Sequence, residues 1–289
     1  VRPYDHLWET APRGRAVDAV LRLGYADFLD FAERSSPRPP VLNGGGSRQL
    51  GGEGWSGTAT FDDALGLAWS GWPEAASKIE AGSRELLVST RELIARRPEL
   101  APVGAFPIVP VFLSGSPDHM LEPSTEREAP FCRILINTTY SAATDSEEVF
   151  SFGSACLRLI DDLDAAGLET DVDAVICVTD GRYTTTGIVH VKRAGEMLDL
   201  ERLGFVLCST AWLRRLGFTL IECQPNTDAA TTLARDGYGS PTEPAQAICD
   251  EYDLVIPLLH AGLDEGDAGE VYDKLMDLLG KSKVAAEAA

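Results

Sequence analysis

Five consecutive residues carry the most suggestive chemistry in this chain: Asn137, Thr138, Thr139, Tyr140 and Ser141. Asn137, Thr139 and Ser141 place an amide and two hydroxyls at alternate positions directly after FCRILIN, an apolar run of strand length. Three hydroxyl or amide side chains in a turn are common, and by themselves they identify no ligand. The same side chains can cap the helix that follows, a common use of short polar residues in turns. Asp180-Gly181 separates two strand-like runs and reads as a hairpin turn.

The remaining reactive residues form no complete set. Asp118-His119 is an acid/imidazole pair of the kind that tunes a general base, yet nothing fixes Ser114 or Ser116 as its nucleophile. His6, His190 and His260 have no companion at metal-ligand spacing and read as structural or surface groups. Asp161, Asp162 and Asp164 share one helical turn and read as a solvated face. The glycine-rich stretch 44–54 lacks the Lys and the preceding strand of a phosphate loop. Cys132, Cys156, Cys177, Cys208, Cys223 and Cys249 contain no C-x-x-C pair and mostly sit in apolar runs, which favours buried free thiols. Trp55, Trp69 and Trp72 form either a small aromatic core or a partner-binding surface.

The elements that must position these residues divide the chain in four. Residues 1–100 read as a helical region: a helix within 14–33, a Gly/Pro-rich loop at 35–57, a helix capped by Thr60, and a second helix from Pro73 to about residue 97. Residues 101–130, interrupted by Pro102, Pro107, Pro110 and Pro117, offer an irregular connector or an edge strand. From residue 131 to 280 strands alternate with helices. FCRILIN is followed by a helix at 146–166 with Val149, Phe152, Cys156, Ile160 and Leu163 on one face, then by the strands VDAVICVT and GIVHVK. A helix over 198–216 follows, with Arg214 and Arg215 at the negative end of its dipole and Gly217 as terminator. FTLIEC reads as a fourth strand, then a helix near 244–251, a fifth strand in DLVIPLL and a closing helix at 268–279; residues 281–289 read as a frayed tail. Alternating apolar strands and helices predict an α/β fold, Rossmann-like, with a mostly parallel sheet of five to six strands and a helical N-terminal part. In such sheets ligands sit beyond the carboxyl ends of the strands, where the 137–141 turn lies.

The Asn137-x-Thr139-x-Ser141 turn, together with the hairpin of the second and third strands, resembles the metal-binding turn of von Willebrand factor A domains over residues 131–280. There an Asp-x-Ser-x-Ser sequence holds Mg²⁺. The resemblance implies a degenerate metal site at Asn137, Thr139 and Ser141, because Asn replaces the Asp and Thr the first Ser, and Glu222-Cys223-Gln224-Pro225 lacks the expected Asp; Thr210 is a loose match for a further Thr ligand. The segments around Trp55–Trp72, VFLSGSPDHM and VKRAGE resemble uncharacterised proteins of bacteriophages and other mobile elements.

Charge narrows the function. With 25 Lys+Arg against 45 Asp+Glu the net charge is −20, which opposes direct nucleic-acid binding and anionic membranes. No run reaches the roughly 18 apolar residues of a membrane span, and the first residues lack a secretory apolar core, so the expectation is a cytoplasmic protein, or a virion-associated one if phage-encoded. The expected function is non-enzymatic protein–protein interaction or assembly, with protein partners and no cofactor beyond a residual affinity for Mg²⁺. The alternatives are a metal-dependent binding protein or hydrolase at the strand-end crevice, and an accessory protein in nucleic-acid transactions.

Overall fold

A computed structural model describes residues 4–13, 16–35, 46–49, 51–77, 79, 100–101, 106–107, 120–121, 131–235, 237–259 and 268–280. Ser114, Ser116, Asp118, His119, His260, most of the 101–130 connector, much of the 35–57 loop and the 281–289 tail lie outside the described residues.

The main element is a mixed seven-stranded sheet. It contains β1 (Trp8–Arg13), β2 (Ala16–Gly24), β6 (Phe131–Asn137), β7 (Glu169–Thr179), β8 (Tyr183–Lys192), β9 (Ser240–Pro241) and β10 (Leu254–Ile256). The short strands β3 (Leu100–Ala101), β4 (Phe106–Pro107) and β5 (Met120–Leu121) form a separate sheet. In the main sheet the order is β1-β2-β8-β7-β6-β10, with β9 paired to β7. The pairs β2·β8, β6·β7 and β6·β10 are parallel, whereas β1·β2, β7·β8 and β7·β9 are antiparallel. The mostly parallel sheet of five to six strands is therefore corrected to a mixed sheet of seven.

Both faces of this sheet are buried, as the near-continuous apolar runs require. Ile134, Ile136, Ala174, Ile176 and Val189 enter the larger core, while the alternate residues Leu135, Val175, Cys177 and Ile188 enter a smaller one with Ile248 and Tyr252. The helices are α1 (Tyr25–Arg34), α2 (Glu53–Ser56), α3 (Phe61–Ser70), α4 (Ser146–Ala165), α5 (Leu200–Cys208), α6 (Phe218–Cys223), α7 (Thr227–Arg235), α8 (Gln246–Cys249) and α9 (Ala268–Gly280) among the described residues. All five residues of the expected α4 stripe are buried, and Asp145 with Glu148 forms a capping box that fixes where this helix starts after the 137–141 turn. Thr60 caps α3 in the same way with Asp63.

Two expected elements are different. The helix within 14–33 is a strand followed by a helix: Ala19, Leu21 and Leu23 alternate inward along β2, and only from Tyr25 does the helical face of Phe28, Leu29, Phe31 and Ala32 begin. Val17 and Leu21 fit both periods, whereas Val20 fits only the helical one and in the strand faces the smaller core on the other side; pairing with β8 fixes the strand. The N-terminal part thus supplies two strands to the sheet as well as helices. FTLIEC is helix α6 and not a strand, since a six-residue apolar run does not discriminate by itself. It continues a π-helical turn, Trp212–Gly217, in which Gly217 is helical and not a terminator. A Cβ on Gly217 would lie 2.7 Å from Ile176 Cδ1, so glycine here lets the turn pack directly on β7.

Candidate functional site at the strand-end crevice

The chain leaves β6 through α4 to β7 on one side, while β10 joins β6 on the other. A crevice thus opens beyond the carboxyl end of β6, and the 137–141 turn lies in it. Every polar side chain of the turn has a structural partner. Asn137, 1% exposed, accepts from Thr139 N through Oδ1 at 3.1 Å, and its Nδ2 donates to Thr242 O and Glu243 Oε2, both at 3.1 Å. Thr138 Oγ1 donates to Val175 O and accepts from Trp212 Nε1 at 3.2 Å. Thr139 Oγ1 accepts from Cys177 N at 2.8 Å, the Tyr140 hydroxyl donates to Thr210 O, and Ser141 Oγ accepts from Ala143 N. Asn137, Thr139 and Ser141 are brought together by the turn, but their oxygens serve three different main-chain N–H groups. Glu243 faces the amide nitrogen of Asn137, the opposite orientation from a metal ligand. The donor set does not fit Mg²⁺, and among the described residues no group of three or more His, Cys, Asp or Glu is arranged for a metal.

What holds the turn is a cation that belongs to the protein. Arg214 is 3% exposed and donates from Nη1 to Trp55 O at 2.6 Å and from Nη2 to Ser141 O, Ala142 O and Thr144 O at 3.2, 3.3 and 2.7 Å. Its guanidinium lies 4.5 Å from the Trp55 ring centroid and 5.2 Å from that of Tyr140. Burial pulls the Arg214 pKa below its usual value. Its neighbour Arg215 is also buried and donates to Ser47 O, Thr58 O and Ala59 O. Both arginines were expected at the negative end of a helix dipole. The π-helical turn instead aims Trp212, Arg214 and Arg215 inward, so one six-residue segment ties β6, α2 and the 46–48 segment together.

A second buried charge completes the wall. Glu222 accepts from Ser47 N and Oγ and from the Tyr238 hydroxyl, at 2.5, 2.9 and 2.6 Å. Gly46, at φ +68°, admits the carboxylate: a Cβ there would lie 2.7 Å from Oε1. Tyr238 itself has φ 70°, an uncommon conformation for a bulky residue, and stacks on Phe218 at 3.8 Å. Burial raises the pKa of Glu222, outweighing the hydrogen bonds from Tyr238 and Ser47 and the charge of Arg48, which lower it. An acid whose pKa rises on folding contributes stability below its ordinary value of 4.5 that is lost as pH climbs through the raised value. Wild type is thus expected to lose stability relative to Glu222→Gln across that interval, measured by urea unfolding at a series of pH values; parallel pH profiles for the two proteins would contradict this.

The other expected residues separate. Asp180 Oδ1 accepts from Arg182 N and Tyr183 N, and Gly181 has φ 87°, so Asp180-Gly181 forms the β7–β8 hairpin turn. Of the three tryptophans, Trp55 belongs to the Arg214 site and donates to Ala142 O, Trp72 is half-buried, and Trp69 is 52% exposed. The Asp161–Asp164 group is more than a solvated face: Asp164 lies 3.0 Å from the buried Lys192 and accepts from Thr170, and Asp162 accepts from Tyr272. All six cysteines are free, and five are buried. His190 does have partners, Asp173 at 2.7 Å and Asp171 at 3.5 Å, with Tyr252 on the second oxygen of Asp173. Its signal was the hairpin register, which sets Asp173 opposite His190. Among the described residues no helix is long and apolar enough to cross a membrane.

Residues 17–281 match a family described as a domain of unknown function, DUF7192. No curated protein and no solved structure matches the chain.

Proposed function

The chain belongs to the DUF7192 family, and from its geometry we propose a non-enzymatic interaction or assembly protein, of the phage or mobile-element type that the sequence resemblance implies. The order β6-α4-β7-β8 supports a von Willebrand factor A-like layout within the mixed sheet. The observation that carries the functional reading is a groove of about 410 Å³ whose lining includes Asp161, Asp164, Glu169, Glu196 and Met197. Met197 is 91% exposed, an apolar flexible side chain set in an acidic surround. That combination suits a basic partner segment carrying an apolar residue, and the net charge of −20 steers such a partner inward. Trp69 offers a second exposed anchor.

The test compares wild type with the triple variant Asp161→Lys, Glu169→Lys, Met197→Ser, which spares the Asp164–Lys192 pair. Immobilised wild-type chain is expected to capture basic partners from the source cell in a salt-sensitive manner, and the triple variant is expected to lose them. Equal capture by both proteins contradicts the groove. A hydrolase activity abolished by substitution of Asn137, Ser141 or Asp180 contradicts the non-enzymatic reading.

A further inference from the structure

The wall of the strand-end crevice encloses a cavity of about 50 Å³ whose lining includes Trp55, Thr139, Tyr140, Arg214, Phe218 and Tyr238. We propose that this cavity is a binding site for one small oxyanion group, a phosphate or a carboxylate, held between Arg214 and Thr139. Three observations lead there. All four hydrogen bonds of Arg214 end on main-chain carbonyl oxygens, and among the described residues no carboxylate pairs with it. A buried guanidinium without a counter-charge is a costly arrangement that a bound anion relieves. The Nε–H of Arg214 and the hydroxyl proton of Thr139 find no acceptor among the described residues, and both residues line the cavity.

Size and charge define the ligand class. The cavity holds several times the ~10–15 Å³ that one water requires, which is room for a single oxyanion group and not for a nucleotide. A cation is repelled by Arg214, and a neutral aromatic group leaves both donors unpaired. The net charge of −20 repels a polyanion more strongly than a singly charged group, because the repulsion grows with the ligand's charge and salt screens it beyond about 10 Å at 0.1 M. This site is separate from the acidic groove, so either can fail without the other.

Calorimetric titration of the full chain with inorganic phosphate and with acetate, at constant ionic strength balanced by chloride, tests the site. The expected result is saturable binding of at least one probe at one site per chain, weakened about tenfold or more in Thr139→Val and lost in Ala142→Leu. Preference for phosphate or acetate identifies which oxyanion group the site takes. Ala142 is an exposed residue lining the cavity, so a leucine side chain there takes up cavity space while the Ala142 carbonyl and both donors are retained. That variant keeps the test decisive should Thr139→Val fail to fold. No saturable binding of either probe, or binding unchanged in either variant, overturns the site.

Discussion

Replacing Arg214 with leucine is expected to cost about 3–5 kcal/mol of stability, or to leave no folded protein, as read by urea unfolding followed through tryptophan fluorescence. The size follows from what the guanidinium satisfies. Trp55 O, Ser141 O, Ala142 O and Thr144 O all accept from Arg214, and leucine leaves these part-buried or buried carbonyls without that donor. The cation–π contacts with Trp55 and Tyr140 disappear with them. Lysine keeps the charge but cannot reach oxygens on two sides at once, so Arg214→Lys is expected to fall between wild type and leucine. A leucine variant within about 0.5 kcal/mol of wild type would show that the clamp is dispensable.

Asn137→Asp is expected to be the second most damaging change, at about 2–4 kcal/mol near neutral pH. The substitution restores the carboxylate that a metal-binding turn would want, and it changes scarcely any volume. Its cost is electrostatic. Asn137 Nδ2 donates to Thr242 O and Glu243 Oε2, whereas an aspartate oxygen there meets a carbonyl and a second carboxylate. Acidifying the solution until one carboxyl of the pair takes a proton should recover much of the loss, because a protonated oxygen can again donate. Equal stability of Asn137→Asp and wild type in denaturant titrations at neutral pH would mean that Glu243 does not face this amide.

The parts of the fold legible in the sequence are those whose pattern had one physical solution. The 3-and-4 spacing of Val149, Phe152, Cys156, Ile160 and Leu163 admits only a helix, and Asp180-Gly181 between two apolar runs admits a hairpin. β2 and α6 were not legible because AVDAVLRLG and FTLIEC satisfy both periods, and the neighbours β8 and the π-helical turn choose between them. The position of the crevice could be read from the Asn137–Ser141 turn, but its construction could not. Arg214 reaches Trp55 across 159 positions and Glu222 reaches Ser47 across 175, and neither arginine nor glutamate carries any local mark of such a partner. Asp173 and His190 were nearly within reach: counting outward from Asp180-Gly181 pairs Asp173 with Ile188, and the observed closing pair Asp180/Tyr183 moves the register by two to set Asp173 opposite His190.

We propose that side-chain hydrogen bonds and a buried guanidinium hold the strand-end crevice without a metal ion. Urea unfolding of the wild-type chain in millimolar Mg²⁺ or Mn²⁺, compared with a chelator at matched ionic strength, tests it most directly, since an ion that binds only the folded state must raise the midpoint. The expected result is one midpoint in all three solutions. A saturable rise in the midpoint with either ion, lost in Ser141→Ala, would contradict the account.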